Sequence, residues 1–153
     1  MLMLTAAPSA GDANAHASAQ RPLDSTDFVL AGLTEGTAST SVLSRLGRPD
    51  SVTVDKNPYD TGGHLPTWHY PGLDVDFIET AIQGFEINGP KIRTARAVGV
   101  GDTIERLMGA YGEPNSRLDD IWFYDDPHHD LHQIAFTVRD GRVIKIFIGT
   151  VLD

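Results

Sequence analysis

The chain has 153 residues, 41% hydrophobic and 22% charged, which is enough for one ordinary core or two small fused ones and is not the balance of a disordered chain. Lys and Arg number 12 against 21 Asp and Glu, a formal net charge of -9, which argues against a nucleic-acid partner and against docking on an anionic membrane surface. Cysteine is absent, so disulfides, thiolate metal sites, a cysteine nucleophile and cysteine lipidation are all excluded, and no apolar run approaches the length of an integral membrane segment.

Residues 1–20 are rich in Ala, Ser, Gly and Asn and follow neither a helical nor a strand period. Ala15-His16-Ala17 and Ala17-Ser18-Ala19 fit the small-x-small pattern of a signal-peptidase site, so this stretch reads as a signal-peptide remnant or a disordered leader outside the fold. The corresponding location is periplasmic or secreted.

Gly36-Thr37 opens a first helix. Ser39, Val42, Leu43 and Leu46 share one face, Thr37 is the expected N-cap, and Gly47 and Pro49 stop the helix. The segment 50–66 is polar, holds several Gly and Pro, and reads as a loop or short ribbon. Trp68-His69-Tyr70 then forms a strand and Pro71-Gly72 a turn. Leu73 to Phe77 alternates apolar with acidic, Ala81 to Ile87 is a third strand, and Lys91 to Arg96 is a basic connector.

A second unit follows. Asp102-Thr103-Ile104-Glu105 has the form of a capping box with Asp102 as cap; Ile104, Leu107, Met108 and Tyr111 make the stripe; Gly112 and Pro114 stop the helix. Ile121 to Tyr124 is a strand, Asp125 to Asp130 a polar tip, and Ile134 to Val138 an alternating strand. Asp140-Gly141 closes a hairpin with Val143 to Ile148. Gly36, Val42, Leu43, Leu46, Gly47 and Pro49 align at constant offset with Gly101, Leu107, Met108, Tyr111, Gly112 and Pro114, and Trp68/Tyr70 correspond to Trp122/Tyr124. The expected architecture is therefore α+β: two α-β-β-β repeats, 28–90 and 95–150, forming one antiparallel sheet with both helices on one face.

The run Gly-Asp-Thr, helix, Tyr-Gly-Glu-Pro, Trp-x-Tyr, alternating strand, Asp-Gly, strand resembles the module of the SmpA/OmlA (BamE-like) outer-membrane lipoproteins. Its tandem arrangement resembles the β-lactamase inhibitory protein (BLIP-like) family. The resemblance covers about residues 30 to 149. It implies a BLIP-like curved sheet and a non-enzymatic, extracytoplasmic protein-binding role. The lipidated cysteine of the one family and the disulfides of the other have no counterpart here, so neither specific activity carries over.

Three chemistries are open to such a chain. Alternation sends Asp74 and Asp76 to the open face of the sheet, together with Lys145 and Phe147, while Ile144, Ile146 and Ile148 face the core. If Trp68, Tyr70, Trp122 and Tyr124 also point outward, they make an aromatic patch rimmed by acids; the alternative is that they fill the core. The expected protein-binding residues are Trp68, Tyr70, Asp74, Asp76, Trp122, Tyr124 and Phe147, with a basic patch on the partner. The second chemistry is divalent-metal binding by His128, His129 and His132, against the alternative of a solvated tip. The third is catalysis, for which no nucleophile elbow, P-loop or complete nucleotide fingerprint is found, so neither an enzyme nor a cofactor is expected.

Overall fold

The computed structural model describes residues 20–56 and 64–151. The expected leader, apart from Gln20, and the middle of the 50–66 connection lie outside these residues.

The protein is α+β, with two helices and an open eight-stranded antiparallel sheet. A 3-10 turn, Ser25–Phe28, precedes α1 (Ser39–Leu46). Then come β1 (Ser51–Lys56), β2 (His64–Tyr70), β3 (Leu73–Ile78) and β4 (Ala81–Ile87). Helix α2 (Ile104–Tyr111) is followed by β5 (Ser116–Leu118), β6 (Ile121–Asp125), β7 (His132–Arg139) and β8 (Arg142–Thr150). The spatial order is β1-β2-β3-β4-β8-β7-β6-β5, so β4 and β8 meet in the middle and β1 and β5 are the edges.

Each helix is thus followed by four strands, where three were expected. Both additions are edge strands. In β1 the alternation of Val52 and Val54 lies inside a connection that otherwise reads as polar. β5 is only three residues long, and its pairing with β6 defines it.

Cross-strand rows explain the core. One row runs Trp68, Val75, Phe85, Ile148, Ile134, Tyr124; the next runs Tyr70, Leu73, Ile87, Ile146, Phe136, Trp122. Val42 of α1 and Leu107 and Tyr111 of α2 are buried in the same cluster as these rows. A register shift between Thr137 and Val138 pairs Val138 with Val143, so Val143 is fully buried and Ile144, expected in the core, is half-exposed.

The helix ends are fixed by tertiary contacts more than by local caps. Ala38, not Thr37, is the N-cap of α1 and makes no side-chain cap bond. Instead the Ser39 amide donates to the Thr80 carbonyl at 2.8 Å, in the turn between β3 and β4. Thr103 replaces Asp102 as the cap of α2 by accepting from the Arg106 amide at 3.2 Å. Asp102 accepts instead from the Gly99 amide at 2.9 Å and from Arg93 at 2.8 Å. Leu43, placed on the apolar stripe by periodicity, is 42% exposed.

At the other end, the Trp-x-Tyr motif shows its mechanical purpose. The Tyr70 hydroxyl donates to the carbonyl of Gly47, and the Tyr124 hydroxyl to that of Gly112, at 2.9 and 2.8 Å. Each tyrosine holds the terminal glycine of its helix against the sheet. Burial pushes both phenols above their ordinary pKa, so both remain donors at neutral pH.

Tyr124→Phe orphans a buried carbonyl and is expected to cost about 1–3 kcal/mol, whereas Tyr70→Phe, at a wetter site, costs less. Urea denaturation of the two variants checks the order. Gly149 lies directly opposite Gly84 with a φ of 151°, and an added Cβ would sit 2.6 Å from both Gln83 O and Gly84 Cα. Gly149→Ala is therefore expected to lower the melting temperature. Gly109→Ala, with open space around it on the exposed face of α2, should raise stability by about 0.5–1 kcal/mol.

Candidate functional site

The face of the sheet turned away from the core carries its own row of paired residues. It runs Ser116, Phe123, Ala135, Phe147, Glu86, Asp74, His69, Ser51 and crosses all eight strands. The character of the row changes at the β4/β8 seam.

On β1 to β4 the face is polar and cross-linked. Thr53 Oγ1 lies 2.9 Å from His69 Nε2, and His69 Nδ1 lies 2.8 Å from Asp74 Oδ1. Thr67 donates to Asp76 at 2.7 Å, and Asn88 donates to the second Asp74 oxygen at 3.4 Å. The order hydroxyl, imidazole, carboxylate is that of a hydrolytic triad. Here the hydroxyl is on the edge strand β1, the imidazole on β2 and the carboxylate on β3, so the three groups lie side by side across one face of the sheet. The chain of bonds acts as a cross-strand ladder tying the edge strand β1 to the sheet.

On β6 to β8 the same face is apolar. Ile121, Phe123, Ala135 and Phe147 form the apolar part of an open groove of about 390 Å³, which Gln133, Thr137 and Thr150 also line and which Lys145 and Glu86 border. Phe147 reaches this position because Gly84 has no side chain: a Cβ there would stand 3.1 Å from the phenyl ring. Burial raises the Glu86 pKa, opposed by Lys145 at 3.9 Å and reinforced by Asp74 and Asp76.

The expected site residues divide accordingly. Asp74, Asp76 and Phe147 are on the open face. Trp68, Tyr70, Trp122 and Tyr124 are not, because their register pairs them with core residues. Trp122 and Tyr124 are 8% and 1% exposed; Trp68 is half-buried, its ring 4.7 Å from that of Phe77, and Arg117 covers Trp122 at 4.1 Å. The outward aromatic patch is therefore built by Phe123 and Phe147. Phe123 was legible in principle, since it alternates with Trp122 and Tyr124, but nothing in the sequence says which set faces the helices.

The polar tip is also rearranged. Asp126, His129 and His132 bring ligand atoms to within 4.8 Å of one another. His128 is exposed and contributes its backbone amide, not its ring, by donating to Asp126 at 2.9 Å.

Comparison with known proteins gives little beyond this geometry. No family model matches the chain, and no curated protein matches it. A solved structure of an extracellular protein containing a SCP domain, from Bacillus anthracis str. Ames, aligns with a TM-score of 0.45 at 12% identity. The alignment covers 86% of this chain and 48% of that one, so the chain spans about half the length of the protein it matches. The resemblance to SmpA/OmlA and BLIP-like modules is thereby corrected: no family model matches the chain, and the solved structure it aligns with is that of an SCP-domain protein.

A carboxylate whose folded pKa is raised binds its proton more tightly in the folded state, so it takes away stability as pH rises past its ordinary value of 4.5. Glu86→Gln is expected to leave stability unchanged well below that value and to increase it above. Denaturation curves of both proteins across the acid range read out the difference.

Proposed function

We propose that the chain is an extracytoplasmic, non-enzymatic protein-binding module, and that its contact surface is the open face of the sheet. The observation that carries this reading is the apolar groove around Phe123 and Phe147, set directly beside a band of carboxylates. Large apolar side chains on the outer face of a sheet cost solubility unless something covers them. Aromatic anchors beside a charged rim are the usual make-up of a binding hot spot. The neighbouring Asp74, Asp76 and Glu86, with the net charge of -9, favour a partner segment that presents an apolar side chain next to Lys or Arg. An export signal ending near residue 20 is supported by the small-x-small spacing at Ala15, Ala17 and Ala19.

We read the fold as two copies of one unit. The matching tyrosine-to-glycine bonds at the ends of α1 and α2 support this. So do the equivalent bonds at the helix starts, Ser39 to Thr80 and Ile104 to Gly141.

Selection of displayed random peptides on the intact protein tests the proposal. The expected consensus is an aromatic or branched apolar residue adjacent to Lys or Arg. Its affinity should drop at least about tenfold for a Phe123→Ser/Phe147→Ser variant and should weaken with salt. A consensus without basic residues, or equal enrichment on the variant, sinks the reading.

A further inference from the structure

We propose that the loop joining β6 to β7 is a divalent transition-metal site, ligated by Asp126 Oδ2, His129 Nδ1 and His132 Nδ1, with Glu35 orienting His132 from the far side of its ring. Its cleft adjoins the groove, since Thr150 lines both, but its ligands are other residues and the proposal does not depend on what the groove binds.

The ligand atoms are already gathered. Asp126 Oδ2 lies 3.1 Å from His129 Nδ1 and 3.0 Å from His132 Nδ1. A tetrahedral zinc ion about 2.0–2.1 Å from its ligands spaces them about 3.3–3.4 Å apart, close to the two distances from Asp126, and the two imidazole nitrogens, within 4.8 Å of each other, close up as the ion binds. Two imidazoles and a carboxylate are a borderline donor set suited to Zn²⁺ and its neighbours in the series.

The second observation is His132 Nε2. This atom is buried and has no hydrogen-bond partner among the described residues, although Glu35 Oε2 lies 3.2 Å away, near enough for an ion pair but without the alignment of a hydrogen bond. His132 therefore stands between two carboxylates. A neutral ring cannot donate to both. A metal on Nδ1 would leave the proton on Nε2, where a small rotation toward Glu35 would complete the carboxylate–histidine–metal relay common in such sites.

The surroundings hold these groups in place, which answers the objection that a tip is too loose to bind metal. The His132 ring is stacked on Phe28 with centroids 3.6 Å apart. Asp126 is fixed by the His128 amide on Oδ1 and by its own amide, which donates to the His132 carbonyl at 2.9 Å. Glu35 accepts from the Thr150 hydroxyl at 2.7 Å. His129 is 74% exposed, and a cleft bounded by Thr34, Glu35, Gly36 and Thr150 opens beside it. Three protein ligands with solvent access leave a coordination position open for water or for a ligand atom from a partner.

Calorimetric titration of the intact chain with Zn²⁺, paralleled by visible absorption of the Co²⁺-loaded protein, tests this. One ion per chain is expected, with a tetrahedral Co²⁺ spectrum. His129→Ala and Glu35→Gln should each weaken binding by about ten- to a hundredfold, and His128→Ala should leave it unchanged. His132→Ala also removes the stack on Phe28, so the decision rests on His129→Ala, whose ring is exposed and, among the described residues, meets Asp126 and His132. No saturable binding, binding that survives His129→Ala, or an equal loss in His128→Ala overturns the proposal.

Discussion

The structure depends on the close approach of β4 and β8 at Gly84 and Gly149. These strands come from opposite halves of the chain, and their pairing makes one eight-stranded sheet out of two four-stranded ones. The approach requires that neither residue carry a side chain: a Cβ on Gly149 would meet Gly84 Cα, and one on Gly84 would meet the Ile148 carbonyl at 2.8 Å. The same missing side chain lets the Phe147 ring lie across β4. The seam that joins the sheet thus also creates the groove on its open face.

A buried ion pair does the corresponding work on the helix side. Asp27 is 2% exposed and accepts from Nε and Nη2 of the Arg96 guanidinium, each at 2.8 Å. Arg96 also donates to the carbonyls of Arg21, Pro22 and Ala110 and lies 4.8 Å from the centre of the Tyr111 ring. Arg96, read from sequence as part of a basic connector, is thus the tie between the N-terminal segment, that connector and α2. Isolating either charge would be costly, because a buried carboxylate without its partner is poorly solvated. The pair also fixes the 3-10 turn that carries Phe28, and through Phe28 the ring of His132.

The two faces of the sheet solve different problems. The inner face satisfies the helix ends with tyrosine hydroxyls and fills the remaining volume with apolar rows. The outer face is half ladder and half groove. The ladder of Thr53, His69, Asp74, Thr67 and Asp76 satisfies its polar groups internally, which leaves the apolar half as the part with most to gain from a partner.

Much of the fold was legible because it is locally encoded. The glycine stops at 47 and 112, the alternation of Leu73 to Phe77, the span of β4 and the Asp140-Gly141 hairpin follow from backbone preference and side-chain period alone, and the structure keeps them. The choice of N-caps and the edge strands was not, because those are set by residues distant in sequence, such as the Thr80 carbonyl at the start of α1. The site divided in the same way. Composition identified an acidic chain with no cysteine, and alternation placed Asp74, Asp76 and Phe147 outward. Period two, however, sorts a strand into two sets without saying which is inside. Only the packing of helix against sheet turned Trp68, Tyr70, Trp122 and Tyr124 inward and left Phe123 outside. Likewise the sequence offered three histidines at the tip, but the folding of the loop about Asp126 decided that the rings of His129 and His132, and not that of His128, lie against its carboxylate.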